Sequence, residues 1–513
     1  MSGRMQDVHL VEEDEDGTTA APGAPRSTAP TDGPPTPTPG GAVAPGWLRR
    51  HARVLVPAAL AVVVALVAGQ TALDARERAR LDALADVRGV LRPVGSDLGV
   101  RWAGEADDAR VVESGAAVAG AVVGVAPRPG ARVEVRALDE STGALRWSRE
   151  LDLPTPAMTQ DAGDPARWTV CTVVAPGPPP VVACLAQQPG GDVGPPPDVA
   201  VWFLDATDGT VLSTRRLPGN AAFTVLDGLF VVALRVEEQE DSARWVVRAT
   251  DPATARIVWS YTTPRLPTPG RGGSGDAWSG AYASLDARGD RVLLAVGRSS
   301  WLLDGSGVLV RRDRLDPAWW PELARGGVVV HSTWSQDGEP QARVLLEDGA
   351  RVVVDAAPLW LSVDDGTAPD VVFFSSRSVG DGDVVASVQA RDAATGDLVW
   401  RVTGAEAASA LVLEGRLYLA GPDGLFAVDA STGRVLWTVD LSRSVDDLAT
   451  DGRALLVRGP GPVVEAYAPD DGRRLWRADL VTAGLEPGTD LRVGWQVPRL
   501  YALRTDGTVA VLG

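Results

Sequence analysis

The chain has 513 residues, 45% of them hydrophobic, and carries 49 Lys and Arg against 67 Asp and Glu, a formal net charge of -18 at pH 7. The hydrophobic share is that of a protein with a real core, and the length admits either several ordinary domains or one closed repeat fold. The acidic balance argues against nucleic acid as a partner, because phosphate binding needs a concentrated basic surface.

Residues 1–48 are dominated by Pro, Gly, Ala, Thr and Ser and carry the acidic run Glu12, Glu13, Asp14, Glu15 and Asp16. With almost no apolar periodicity this stretch cannot offset the entropy of ordering, so it is expected to be a disordered tail. Arg49, Arg50, His51 and Arg53 follow, then the apolar run Val54 to Gly69, which Ala52, Gln70, Thr71, Ala72 and Leu73 extend toward bilayer-spanning length. Residues 49–73 are therefore expected to form a basic flank and a transmembrane helix, with the tail cytoplasmic and the body outside. A cleaved signal peptide and a buried globular segment are the rival readings, and the long stretch before the apolar run weighs against the first. Leading into and along residues 74–95, Leu73, Leu81, Leu84, Val87 and Leu91 recur close to helical spacing between charges, which predicts a juxtamembrane stalk helix. Its stripe offers a homodimer contact, and equally a contact with the chain's own fold or with lipid.

Beyond the stalk one phrase keeps returning: ALDESTGALRW ending at Trp147, ARDAATGDLVW at Trp400, AVDASTGRVLW at Trp437 and AYAPDDGRRLW at Trp476. Weaker copies are FLDATDGTVLS, Phe203 to Ser213, and ATDPATARIVW, Ala249 to Trp259. The last three full copies lie 37 and 39 residues apart, and self-similarity at that period means stacked or radial units. From Ser409 to Asp440 the unit reads as four short strands, 410–413, 417–420, 425–428 and 435–439, separated by turn residues: one antiparallel blade. In the last turn Asp429, Ser431 and Thr432 can bond nearby backbone and Gly433 accepts a positive φ. A tryptophan on the outer strand then covers the flank of its blade and reaches the next, so Trp147, Trp259, Trp400, Trp437 and Trp476 are read as packing residues.

The phrase resembles that of the PQQ-like repeat family of β-propellers, first recognised in quinoprotein dehydrogenases, over most of Val118 to Gly513. Asp139, Thr142, Gly143 and Trp147 match, as do Asp392, Thr395, Gly396 and Trp400, and Asp429, Thr432, Gly433 and Trp437. The resemblance implies that the phrase joins the third and fourth strands of a blade and that its Trp docks on the neighbouring blade. The fourth copy keeps Gly472 and Trp476 but has Ala468 and Asp471 for the Asp and Thr, and 300–307 and 344–349 look like third strands without the phrase. An all-β propeller over 96–513 is thus expected. Nine third-strand runs can be counted, yet eight blades is what the quinoprotein relatives imply, so eight is the expectation, within seven to nine. The last run has no fourth strand after it, and Val100, Arg101 and Trp102 read as a displaced one that closes the ring from the N-terminal side.

Site chemistry is sparse. Of three histidines only His331 lies in the body, where a satisfied strand histidine is the expectation. No phosphate loop, serine elbow or zincin motif occurs, so no catalytic, metal or cofactor residue is assigned. Cys171 and Cys184, the only cysteines, flank a hairpin turn and are expected to pair if the body is exported. They are not adjacent in sequence, as the quinone-contacting cysteines of the dehydrogenases are, so the resemblance does not carry over a quinone site. Trp319 and Trp320, and with less weight Trp278 and Trp360, lie outside the phrase and are candidates for an interaction loop. The resulting expectation is a non-enzymatic, membrane-anchored extracytoplasmic scaffold for an unidentified envelope protein. An exported oxidoreductase with a degenerate quinone site, and a ligand or glycan sensor, are the alternatives.

Overall fold

A computed structural model describes residues 45–513 except 130–131, 154–167, 188–196, 240–241, 268–282, 317, 336–337, 381–382, 423, 442–443 and 495. Residues 1–44 of the expected tail and Trp278 lie outside the described residues, while residues 45–48 begin a helix. The chain divides into two units, Met1–Leu73 and Asp74–Gly513.

In the first unit the basic flank and the apolar run fall within one helix, Pro45–Ala85, whose last turns belong to the second unit. Among the described residues no helix is long and apolar enough to cross a membrane. The side chains of 45–59 and 62, which include much of the apolar run, are outside those residues.

The second unit is a propeller of nine sheets, numbered here as blades one to nine from Ala116 onward. The expectation of eight is corrected: every counted run builds a full blade, and none is a decorating hairpin. Blade seven shows the plan. Its strands Ser409–Leu413, Arg416–Gly421, Gly424–Asp429 and Val435–Val439 pair antiparallel in chain order, first strand innermost. In blade nine Asp490–Val493, Leu500–Leu503 and Val509–Leu512 are completed by Val100–Gly104, with Trp102 opposite Val511. That pairing removes the free edge of the last sheet. A nine-residue helix, Ala106–Ser114, leads from the closing strand into blade one.

Nine apolar clusters fill the nine seams between neighbouring blades. Alternating strand residues supply them because each sheet buries both faces. Cys171 and Cys184 sit directly opposite on neighbouring strands of blade two, with Cα atoms 4.1 Å apart, and form a disulfide. Both cysteines are fully buried in the seam with blade one.

The stalk differs from expectation. Its helix stops at Ala85, and from Asp86 the chain is a non-helical strap. Leu84 and Val90 are buried in the seam between blades seven and eight, and Leu91 and Leu98 in the seam between eight and nine. The propeller itself thus covers the later part of the stripe offered for homodimerisation, and Leu73 at its start is 65% exposed. Arg80 forms an ion pair with Glu414 and donates to Gly452 O at 3.1 Å, so residues 74–85 sit on the face of the propeller that carries the repeat turns. We call this the turn face and the opposite one the distal face.

Candidate functional site

The repeated residues are engaged in holding blades together. Asp429 Oδ1 accepts from the backbone N–H and hydroxyl of Thr432 at 2.9 and 2.8 Å and from Ser431, which depresses the carboxyl's pKa, the Thr432 hydroxyl contributing most. Asp392 and Asp139 are depressed for the same kind of reason, led by the Thr395 N–H and the Ser141 hydroxyl. These carboxylates stay ionised as turn anchors. The turn ends in a glycine, at φ +73° for Gly433, and a Cβ there would come within 2.5 Å of Trp400 on the preceding blade. Trp400 is buried under that glycine and donates its indole N–H to Ala430 O at 3.0 Å. Trp147 reaches Ala206 O and Trp437 reaches Pro469 O, each at 3.0 Å, beneath Gly209 and Gly472. Closure uses the same joint, with Trp102 under Gly143 and 3.3 Å from Glu140 O. Trp259 stacks under Gly307 with no acceptor for its indole among the described residues, and Trp476 packs in the seam before blade nine, whose turn lacks the phrase. Gly396 meets Val352 instead of a tryptophan.

Two features of the joint were not foreseen. A register shift lies between the third and fourth strands, as at Ala137/Leu138 and Ala427/Val428, so the outer strand carries an extra residue just before its tryptophan. Such a bulge re-aims the following side chain, here onto the next blade. The other is a paired substitution. Ser213 replaces the tryptophan and donates to Pro252 O at 2.7 Å, and the turn it meets has Ala255 in place of glycine. Without an indole below, a Cβ has room.

The seam between blades four and five is the exception. Its apolar cluster is only Leu293, Leu323, Val329 and Leu345, with Leu302 against it. Arg311 takes the tryptophan's place, donating to Leu346 O at 2.6 Å and to Asp313 at 2.7 Å, while Arg351 lies 3.9 Å from Asp313. Beside them His331 is 2% exposed and its Nε2 has no partner among the described residues. Burial pushes its pKa down to about 4 from 6.5; Asp313 pulls upward, and Arg351, Arg311 and Arg343 push down with the burial. Above pH 6.5 the imidazole is neutral folded or unfolded. Between about 6.5 and 4 only the unfolded chain takes up the proton, so stability falls with pH by up to about 1.4 kcal/mol per unit and levels off below. In urea titrations at pH 7 and pH 4, His331→Gln should lose roughly 2–3 kcal/mol less than the wild type. Equal losses would show that His331 is not the titrating group.

On the distal face of blade five, Trp319 lies under Arg343, whose guanidinium carbon is 3.9 Å from the ring centroid and which also pairs with Asp316. That pairing holds the Asp316 carboxyl below its ordinary pKa. Trp320 begins the inner strand and, like Trp319, is half-buried. Trp334, at the end of the second strand, is 60% exposed and was not singled out from the sequence. A tryptophan outside the repeated phrase, close before a polar turn, was the signal available.

The residues do not fit a quinone and its calcium ion. The disulfide is buried between blades rather than facing the axis, and among the described residues no three His, Cys, Asp or Glu side chains converge as metal ligands.

Four-stranded antiparallel blades in a ring, joined by interlocking tryptophans, define the class: a β-propeller. Residues 384–512 match the family model described as outer membrane protein assembly factor BamB. Among solved structures, BamB from Moraxella catarrhalis aligns at 17% identity, covering 77% of this chain and 92% of that one, with a TM-score of 0.34. The computationally designed Ika8 protein aligns at 11% identity, covering 83% and 99%, with a TM-score of 0.35. Comparison with curated proteins finds no match.

Proposed function

We propose that this chain is a non-enzymatic scaffold, held at a membrane by one helix with its propeller outside the cytoplasm. Its distal face would present Trp319, Trp320 and Trp334 to a protein of the cell envelope. The observation that carries the anchor is in the helix Pro45–Ala85, where Leu60, Val63, Val64, Leu66 and Val67 are 63, 55, 59, 67 and 58% exposed. Consecutive apolar side chains left in water are unfavourable, and lipid is the solvent that covers them. Arg49, Arg50 and Arg53 before the run favour a cytoplasmic N-terminus. Attachment of residues 74–85 to the turn face leaves the distal face open to a partner, and half-buried or exposed tryptophans are the side chains best suited to anchor one.

The topology is tested with epitope tags at Met1 and Gly513 in right-side-out membrane vesicles. The Gly513 tag should be reached by impermeant antibody and the Met1 tag only after permeabilisation. Reversed access, or release of the chain from the membrane by alkaline carbonate, sinks the anchor.

A further inference from the structure

Beside the tryptophans of the distal face stands a group of arginines that the scaffold reading does not use. The outer strand of blade four, Leu309–Arg314, starts at the turn face and ends on the distal face in Arg311, Arg312, Asp313 and Arg314. Successive side chains point to opposite sides of a strand. Arg311 and Asp313 turn into the seam with blade five and pair there at 2.7 Å. Arg312 and Arg314 turn the other way and are exposed, Arg312 with its guanidinium carbon 5.6 Å from the centre of the Trp301 ring. Among the described residues no carboxylate pairs with either of them.

Arg298 adds a third exposed cation from the tight turn between Arg291–Val296 and Ser299–Asp304. Its Nε donates to Leu315 O at 3.2 Å, and the Leu315 N–H donates back to Arg298 O at 2.9 Å, which fixes Arg298 against the chain one residue beyond Arg314. Asp316 follows, paired with the Arg343 that covers Trp319. Arg298 acts on the same carboxylate, behind Arg343 and Arg351 in strength. The Thr333 hydroxyl donates to Ala318 O at 2.9 Å, so Trp334 and Trp319 each follow one of two joined residues. One continuous edge thus carries Arg298, Arg312, Arg314, Arg343 and the tryptophans, with Asp316 and, in the turn beyond Trp334, Glu339. Cations outnumber carboxylates on it although the chain's formal net charge is -18.

We propose that this distal edge of blades four and five docks an acidic protein segment, whose carboxylates are held by Arg298, Arg312 and Arg314 beside the anchoring tryptophans. The inference rests on the scaffold reading for the existence of a partner and adds the partner's chemistry. A guanidinium fork matches a carboxylate with two parallel hydrogen bonds, and these three arginines have no acid of their own to give up first. A local excess of positive charge on an acidic protein steers acidic segments to this edge and repels basic ones. The neighbouring tryptophans supply the apolar contact that a purely electrostatic patch lacks. A phosphate polymer fits less well, because Asp316 stands between Arg314 and Arg343 and interrupts the row of cations.

The test is fluorescence anisotropy of labelled hexaglutamate with the full chain in non-ionic detergent, using labelled hexalysine as the opposite charge and tripolyphosphate as competitor. Hexaglutamate should bind saturably at one site per chain and hexalysine should not. Arg312→Gln with Arg314→Gln should weaken binding about tenfold or more. Arg132→Gln with Arg492→Gln removes the same charge from arginines that pair with Glu150 and with Asp490 and Glu113, and should leave affinity within about twofold. If the first double variant does not fold, Arg314→Gln alone decides, since its side chain is exposed and unpaired, and a loss of about threefold or more is expected. Absence of saturable binding, equal binding of hexalysine, equal losses in the two double variants, or displacement by tripolyphosphate at lower concentration than by unlabelled hexaglutamate would overturn the proposal. An envelope protein crosslinked from position 319 or 334 alongside any of these results would leave the scaffold reading standing and remove only the acidic partner.

Discussion

Trp400→Ala should destabilise the propeller by about 3–5 kcal/mol, the range for removing a buried large aromatic. Trp334→Ala should change it by less than about 0.5 kcal/mol, as at other exposed positions. Trp400 is 7% exposed, lies 5.9 Å from Phe373 between ring centroids, and loses its bond to Ala430 O when truncated. The informative partner is Gly433→Ala. Alone it drives a Cβ into the indole and forces alanine to φ +73°, so it should cost about 2–4 kcal/mol. With Trp400→Ser beside it the clash is gone and only the backbone strain of roughly 1 kcal/mol remains, the arrangement the chain already uses at Ser213 and Ala255. The double variant should therefore be about 1–3 kcal/mol more stable than the two single effects add up to. Additive losses in chemical unfolding would mean that the glycine and the tryptophan are not one joint.

The second large effect is expected at ring closure. Val100–Gly104 is the outer strand of blade nine, and Trp102 is its bolt: 7% exposed, opposite Val511, and docked on blade one at Glu140. Glu140 is itself buried and fixed by Arg92 at 3.0 Å and Arg499 at 3.3 Å, so strap, closing strand and first blade meet at one carboxylate. Trp102→Ala should loosen that meeting point by about 3 kcal/mol, which is a hundredfold or more in opening equilibrium. Hydrogen exchange should read it as faster exchange of the Val509–Leu512 amides with little change in Arg291–Val296 of blade four, across the ring from the break. Uniform acceleration would mean that the ring opens as one cooperative unit; none at all would mean that Trp102 is not the bolt.

Much of this fold was legible because the joint is local. An Asp, a Thr and a Gly within five residues can make one turn only, and a Trp four residues past the Gly has one neighbour to reach. The same regularity placed Val100 to Trp102 as the missing strand and brought Cys171 opposite Cys184. Blade number was misjudged where a relative's habit was preferred to the nine runs themselves. The stalk was drawn too long although Gly89, Pro93 and Gly95 stand where a helix must end. What stayed hidden depends on contacts far apart in sequence: the bulge that turns each tryptophan outward, the excursion of Val363–Asp364 onto another blade, and the polar seam around His331. No short-range pattern encodes which carbonyl Arg311 will meet, or that Arg343 and Arg298 will act on one carboxylate.

The scaffold claim is tested most directly by photo-crosslinking in living cells, with benzoylphenylalanine introduced singly at Trp319, at Trp334 and, on the turn face, at Asp208. The account predicts one discrete adduct, of the same mass from positions 319 and 334, and none from position 208. No adduct from either distal position, or an equal yield of the same adduct from position 208, would contradict it.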